Sequence, residues 1–425
     1  MNVRSRFPAP SVFLLLLGFA AVVAACTVPA ESDVPAADAS AEPGEERLAA
    51  GYNDLGFDVL RMLMARHPED NVVLSGASLA AALAMVYDGA DGATRDEIGR
   101  VLRVDSLDAD TFRRAHRRWL EAMQADATGT ELAMANALWA RLGFPFEEAY
   151  LQRMETEHHA RAAQVDFDDP AAVGAINGWV AEQTRQRIRT IVDQLNPDDM
   201  MLLVNAVYFL GEWTTPFSET GTSLRPFRFP DGSTAMVPTM VRRGMMDYAA
   251  GDGYEALRLP YGDDERFAMY IVLPRDEKAA AVLYDELNAA VWAAGLDRLQ
   301  PTDIELHLPR FTVEDRHGLR PVLEELGMVR AFDPRQASFS PMTRARDDVH
   351  ISSVVQKTFI QVNETGTEAA AVTAITVGVT SLPSHTIVRV DRPFLFAIQD
   401  DATGTILFVG RIARPEDSKP EESEM

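Results

Sequence analysis

Residues 364–373 read Glu-Thr-Gly-Thr-Glu-Ala-Ala-Ala-Val-Thr. The chemistry that their pattern points to is the making of a new strand. From Thr367 the run alternates. Thr367, Ala369, Ala371, Thr373, Ile375 and Val377 share one face of an extended chain. Glu368, Ala370, Val372, Ala374, Thr376 and Gly378 share the other. One face is small and then aliphatic, while the other begins with a charge. That pattern suits a segment able to slide into the middle of a sheet. It is also poor loop chemistry, because Thr367 to Val377 contains no Gly, Pro, Asn or Asp. A strand-like sequence in a loop position predicts a loop that becomes a strand.

The usual reactive groupings are missing from the sequence. There is no Gly-x-Ser-x-Gly elbow, no His-Glu-x-x-His, no phosphate loop and no Gly-x-Gly-x-x-Gly. His158 and His159 are adjacent rather than at ligand spacing. The expectation is a protein that is not an enzyme and uses no metal and no cofactor.

The chain has 425 residues, 47% of them apolar and 24% charged, so a large folded core is expected. Arg4 and Arg6 precede an apolar run from Val12 to Ala25, which ends Val23-Ala24-Ala25-Cys26. Residues 1–25 therefore read as a lipoprotein signal peptide, with Cys26 as the site of lipidation. The run is shorter than the roughly 20 residues that span a bilayer. Cys26 is the only cysteine, so an exported protein would have to be stable without an internal disulfide. Loss of Arg4 and Arg6 would take the formal charge from −24 to −26. Such an acidic surface speaks against nucleic acid and against adhesion to anionic lipid. Contact with a membrane is expected through the lipid anchor. Thr27 is not the aspartate that favours inner-membrane retention, so the expected location is the cell envelope, at the outer membrane, with an extracellular protein as the alternative.

Residues 26–46 are rich in Ala, Pro, Ser, Asp and Glu and read as the lipidated cysteine followed by a flexible tether, with a span on the order of 25 Å. Residues 415–425 form a polar tail. Residues 47–414 show no second linker and no repeat. Leu48, Tyr52, Leu55, Val59 and Met62 recur at helical spacing, as do Leu79, Leu83 and Val86. Ile176, Trp179, Val180, Ile188 and Val192 predict another helix, and Leu319, Leu323 and Leu326 one that Gly327 stops. Strands are predicted at 202–209, 267–273, 304–308, 387–390, 394–398 and 406–409. The order is irregular, which favours a mixed α+β architecture.

Several motifs then stand out together. Asn71 to Thr94 is one; Asn205 to Trp213, followed by Phe217, is a second. Leu259-Pro260-Tyr261, Leu308-Pro309-Arg310-Phe311, Leu326-Gly327-Met328 and Arg392-Pro393-Phe394-Leu395-Phe396 follow in order. Over residues 47–414 the chain resembles the serpins, and Glu364 to Ala371 looks like the serpin hinge. The resemblance implies mixed β-sheets surrounded by helices, with an exposed reactive-centre loop at about 364–390. It implies a metastable suicide substrate: a protease cuts the loop, and the cut loop inserts as an extra central strand while the acyl-enzyme is still attached. A strand from Thr367 to Thr380 would extend roughly 45 Å.

By that resemblance the hinge comprises Glu364, Gly366, Thr367, Glu368, Ala369, Ala370 and Ala371, with Thr367 the first residue to insert. Family spacing puts the scissile bond between Thr380 and Ser381, with Val379–Thr380 as the neighbouring candidate because the loop is about two residues longer than a common serpin loop. Trp213, Arg310 and Glu364 match the breach, where insertion begins. Ser75, Ser78, Asn205 and Gln356 match the polar shutter beneath the parting strands. Three departures are visible: Gly76 replaces a usual proline, Gln356 stands where many serpins have histidine, and Leu210 replaces a frequent lysine. Arg113, Arg114, Arg117 and Arg118 share a short helix in a region where some serpins bind polyanions, although a solvated face fits this acidic chain better.

The expected function is inhibition of serine proteases, with cysteine proteases as a second class. Small and β-branched residues at 377–380 favour an elastase-like or subtilisin-like target, and Lys and Arg are absent from 365–388. The molecule is expected to be a monomer. The alternative is a non-inhibitory serpin that is cleaved as a substrate and acts as a binding or decoy protein.

Overall fold

The apolar runs legible in the sequence pair into two sheets with helices packed against them. A computed structural model describes residues 43–125, 127–251, 253–345, 349–367 and 385–415. Its helices are α1 (Pro43–Arg66), α2 (Gly76–Gly89), α3 (Gly92–Val101), α4 (Ala109–Met123), α5 (Glu148–Thr156), α6 (Ala171–Gln183), α7 (Glu277–Glu286), α8 (Ala289–Leu296) and α9 (Arg320–Glu325). Its strands are β1 (Val72–Leu74), β2 (Thr130–Arg141), β3 (Arg161–Val165), β4 (Met201–Glu212), β5 (Ser223–Arg228), β6 (Thr234–Ala250), β7 (Tyr254–Pro260) and β8 (Phe267–Pro274). They continue as β9 (Gln300–Pro309), β10 (Phe311–Gly318), β11 (Ser353–Val362), β12 (Gly366–Thr367), β13 (Thr386–Arg389), β14 (Phe394–Asp400) and β15 (Thr405–Ile412).

One sheet runs β1-β15-β14-β8-β7-β6-β9-β13, with β5 paired to β6. The other runs β10-β11-β12-β4-β2-β3, and β11 also pairs directly with β4. This is the mixed α+β architecture expected. Helix α2 lies in the core and every one of its residues is buried, as befits a helix apolar on all sides. Ser75 caps it, its hydroxyl accepting from Ser78 N at 3.1 Å. Gly76 is explained by the crossing of α1 and α2: a Cβ there would fall 2.6 Å from the Cα of Gly56. Gly327 ends the α9 turn with φ of 103°, where a side chain would be strained.

Two boundaries differ from expectation. Helix α1 begins at Pro43, so residues 43–46 belong to the fold rather than to the tether; Glu45 and Glu46 sit in its first turn, where the helix dipole favours acids. Helix α6 ends at Gln183, and Ile188 and Val192 lie beyond it. The Thr184 hydroxyl bonds back to Val180 O at 2.8 Å, and Arg185 and Gln186 adopt φ of 46° and 66°, which turns the chain. Ile188 and Val192 remain buried, in a cluster with Ile176 and Val180 against the sheet.

Helix α4 brings a second polar group inside. His116 is buried between Phe112 and Trp119, its Nδ1 is 2.9 Å from the Tyr52 hydroxyl, and its ring lies 5.2 Å from that of buried His158. Asp88 faces the same region, held by Arg153 at 2.8 Å and Arg113 at 3.2 Å, with His158 3.7 Å away. Burial, reinforced by His158, holds the His116 imidazole well below its ordinary value. The unfolded chain therefore takes up a proton near pH 6.5 that the folded one refuses, and stability is lost as pH falls below that point. We expect unfolding free energy from urea titrations to drop between pH 7 and pH 5, by up to roughly 1.4 kcal/mol per pH unit from this residue, and the slope to flatten in His116→Phe.

Candidate functional site

The site is built where two central strands begin to part. Strands β11 and β4 pair in parallel from Ser353↔Leu202 to Phe359↔Tyr208. Beyond that the short β12 lies between them, antiparallel to both, with Thr367 opposite Val362 on one side and Gly211 on the other. Gly366 is needed for this approach, since a Cβ there would sit 2.0 Å from Gly211 O. Thr367 is fully buried, and its hydroxyl shares a 2.7 Å hydrogen bond with the Tyr261 phenol. Burial pushes that phenol well above its ordinary value, so it stays neutral. Thr367, expected to be the first residue to enter the sheet, is already in it.

The turn before β12 is fixed from several sides. The Asn363 side-chain oxygen accepts from Thr365 N at 3.0 Å and Gly366 N at 3.2 Å. Trp213 donates its indole N–H to Asn363 O and its backbone N–H to Thr365 O, both at 2.9 Å. Its ring stacks on Tyr261, with centroids 4.4 Å apart. Phe217 N donates to Glu364 O at 2.8 Å. The Glu364 carboxylate is buried and accepts from Arg310 Nε at 2.7 Å, from Arg310 Nη2 and from the Thr222 hydroxyl. Trp213, Arg310, Glu364, Gly366 and Thr367 thus form one cluster.

Further along the same strands a polar row crosses the sheet. Asn136 of β2 faces Asn205 of β4, Asn205 faces Gln356 of β11, and Gln356 faces His317 of β10. All four are buried. The Gln356 amide accepts from Ser75 N at 3.0 Å and donates to Ser75 O at 2.9 Å and to Asn205 Oδ1. Asn205 Nδ2 donates to Ser78 O at 3.1 Å and lies against Ser78 Oγ and Asn136 Oδ1. The row therefore ties the seam between β4 and β11 to the first turn of α2. Ser75, Ser78, Asn205 and Gln356 come together as a second cluster. Glutamine supplies both donor and acceptor where a histidine was the commoner choice.

Sequence reasoning missed Asn136, Tyr261 and Thr222. An asparagine in the middle of an alanine-rich strand was a usable signal for the first, and the motif Leu259-Pro260-Tyr261 held the second; nothing local marked Thr222. Glu368, Ala369, Ala370, Ala371, Thr380, Ser381 and Cys26 lie outside the described residues. The arginines of α4 are engaged: Arg113 with Asp88 and Asp110, Arg114 with the Thr111 hydroxyl, Arg117 with Glu157, and Arg118 with Glu45. Those contacts leave the solvated reading of that face as the better one. What this arrangement offers is a place for a strand.

A family model described as serpin, serine protease inhibitor, matches residues 50–415. The chain belongs to the serpin family. An uncharacterized serpin-like protein of Thermococcus kodakarensis is 36% identical over 385 residues, covering 89% of this chain and 88% of that protein. Antithrombin-III of Mus musculus is 32% identical over 366 residues, covering 83% and 78%. Among solved structures, native protease nexin-1 with heparin matches with a TM-score of 0.79 at 27% identity, over 87% of this chain and 100% of that one. Serpins are protease inhibitors rather than enzymes, usually of serine proteases, although some members inhibit none.

Within this serpin, Asn205 is the side chain that most elements of the seam share. Asn205→Ala leaves Gln356, Asn136 and Ser78 with buried unmet groups, each costing about 1–3 kcal/mol. We expect a loss of about 3 kcal/mol or more, seen as a lower urea midpoint, whereas Arg335→Ala on the exposed surface should change it little.

Proposed function

We propose that this serpin inhibits serine proteases irreversibly as a suicide substrate, by inserting the cut loop between β4 and β11. The observation that carries the reading is β12. A strand that continued from Thr367 in the same two registers would place Thr373 opposite both Asn205 and Gln356. Its hydroxyl could take over hydrogen bonds that those two side chains give up on separating. Ala369 and Ala371 would share the inward face with Thr367, and neither carries bulk or charge. The paired strands run out opposite Thr376, which would face Ser353 and Leu202. The supported strand is therefore shorter than the Thr367–Thr380 segment read from sequence, and the scissile bond Thr380–Ser381 would stand beyond the end of the sheet.

Insertion exchanges one parallel pairing for two antiparallel ones, and parallel pairing is slightly weaker per residue. The hinge is Glu364 to Ala371, the breach Trp213, Arg310 and Glu364, and the shutter Ser75, Ser78, Asn205 and Gln356. The target is an elastase-like or subtilisin-like serine protease, cysteine proteases being the second class, because the residues before the cut are small or β-branched. The chain is held in the cell envelope by lipid on Cys26, at the outer membrane.

Mixed with pancreatic elastase or subtilisin, the protein should give a covalent complex that survives SDS, and the new N-terminus should be Ser381. Cleaved product without any complex would instead identify a decoy. Ala369→Arg should turn inhibitor into substrate, since a buried cation would block the strand two residues past Thr367. Inhibition at the unaltered rate in that variant would refute insertion. Cleaved protein should also unfold at a higher temperature than intact protein.

A further inference from the structure

A pocket of about 180 Å³ opens beside the foot of the loop, lined by Thr214 and Thr215 after β4, Arg242, Met246 and Asp247 of β6, and Arg258 of β7 among others. Arg242 is the unusual member. Its guanidinium lies over the Phe217 ring at 5.1 Å, and its Nη1 donates to Thr215 O. Among the described residues it has no carboxylate partner. Its neighbours are supplied: Arg243 has Asp303 at 2.8 Å, Arg310 has Glu364, and Arg258 has Asp401 at 2.9 Å with Asp247 and Glu265 both at 3.7 Å. Burial without a counter-ion pushes Arg242 down to about 10. A half-buried cation facing a pocket is costly unless an anion meets it.

We propose that this pocket is a binding site for a small oxyanion, a carboxylate or a phosphate, gripped by the Arg242 guanidinium. The remaining N–H groups form a fork that matches two oxygens, which lysine could not offer. Both acids in the lining are turned on Arg258, so an anion is directed to the Arg242 end, and their charge keeps the affinity modest. The methionine and proline walls, Met245, Met246, Pro260 and Pro301, accept a short apolar body behind the anionic group. The site touches the loop's anchorage, since the ring under Arg242 belongs to Phe217, whose N–H holds Glu364 O.

The test titrates the intact protein with sodium phosphate and, separately, sodium acetate, at ionic strength held constant with sodium chloride. Calorimetry and tryptophan fluorescence are the readouts. We expect saturable binding of at least one probe at roughly millimolar concentration, with the better probe telling a tetrahedral from a planar group. Arg242→Gln should weaken it about tenfold or more, a change of about 1.4 kcal/mol. Arg242→Lys, which keeps the charge if Gln does not fold, should fall between, and Arg243→Gln should bind as the unaltered protein does. A response no different from chloride, equal binding in either Arg242 variant, or equal loss in Arg243→Gln would overturn the assignment.

Discussion

The hydrogen bond between Gln356 and Asn205 is the interaction on which the rest depends. It joins two strands that run parallel in an otherwise largely antiparallel sheet, at positions directly opposite one another. Both side chains also reach α2, through Ser75 and Ser78. Separating the strands therefore means loosening the sheet from the helix beneath it. A core helix can serve as that anchor because it is itself held on all sides, and its crossing with α1 is close enough to require glycine at Gly76 and to leave a side chain at Gly56 little room. The seam is fixed from below while its upper end is already prised open by β12.

That upper end is stabilised by a different kind of contact. Gly366 and Thr367 use the backbone of both flanking strands, and Thr367 adds a hydroxyl bond to Tyr261. Arg310 and the Thr222 hydroxyl meet the buried Glu364 carboxylate, which without them would be an uncompensated buried charge. The segment is thus committed to the sheet up to Thr367, and the wedge is as firmly held as the strands that it separates. Any further advance would start from an ordered end rather than from a free chain, which removes much of the entropic cost of nucleating a new strand.

Much of this was legible in the sequence, for identifiable reasons. Strands with apolar, β-branched runs such as β8, β14 and β15 announce themselves, because burial on both faces writes a continuous pattern. Strand β2 does not: Thr130–Arg141 is rich in alanine, leucine and methionine, good helix formers, and becomes a strand because β4 pairs with it from Thr130 to Ala140. Strand β6 carries Arg242, Arg243 and Asp247 amid apolar residues, so its period is blurred by ion pairs with β9 and β7. In the site, most side chains within recognisable motifs were found, although Tyr261 was passed over inside Leu259-Pro260-Tyr261, whereas Asn136 and Thr222 enter through register or tertiary approach. Ile188 and Val192 teach the reverse lesson, since helical spacing was satisfied by a buried coil once Arg185 and Gln186 had turned the chain.

Why should a seam that is proposed to part be polar at its centre? An apolar seam would lose about 25 cal/mol for each square ångström wetted on opening, and it would regain that only if the arriving side chains matched the vacated shape. A hydrogen bond has a small net worth, about 1 kcal/mol, because one partner can replace another. The penalty arises only if the groups are left unmet. Gln356 and Asn205 offer donors and acceptors on adjacent strands, and the residue that the register would bring between them is Thr373, with a hydroxyl that both donates and accepts. A polar seam of this kind holds the closed sheet through bonds that are costly to break singly yet simple to exchange. In the proposed inserted strand the alanines around Thr373 would add little volume to disturb the packing against α2. Exchangeability, rather than weakness, is what would let one sheet be stable both without and with the strand that we propose.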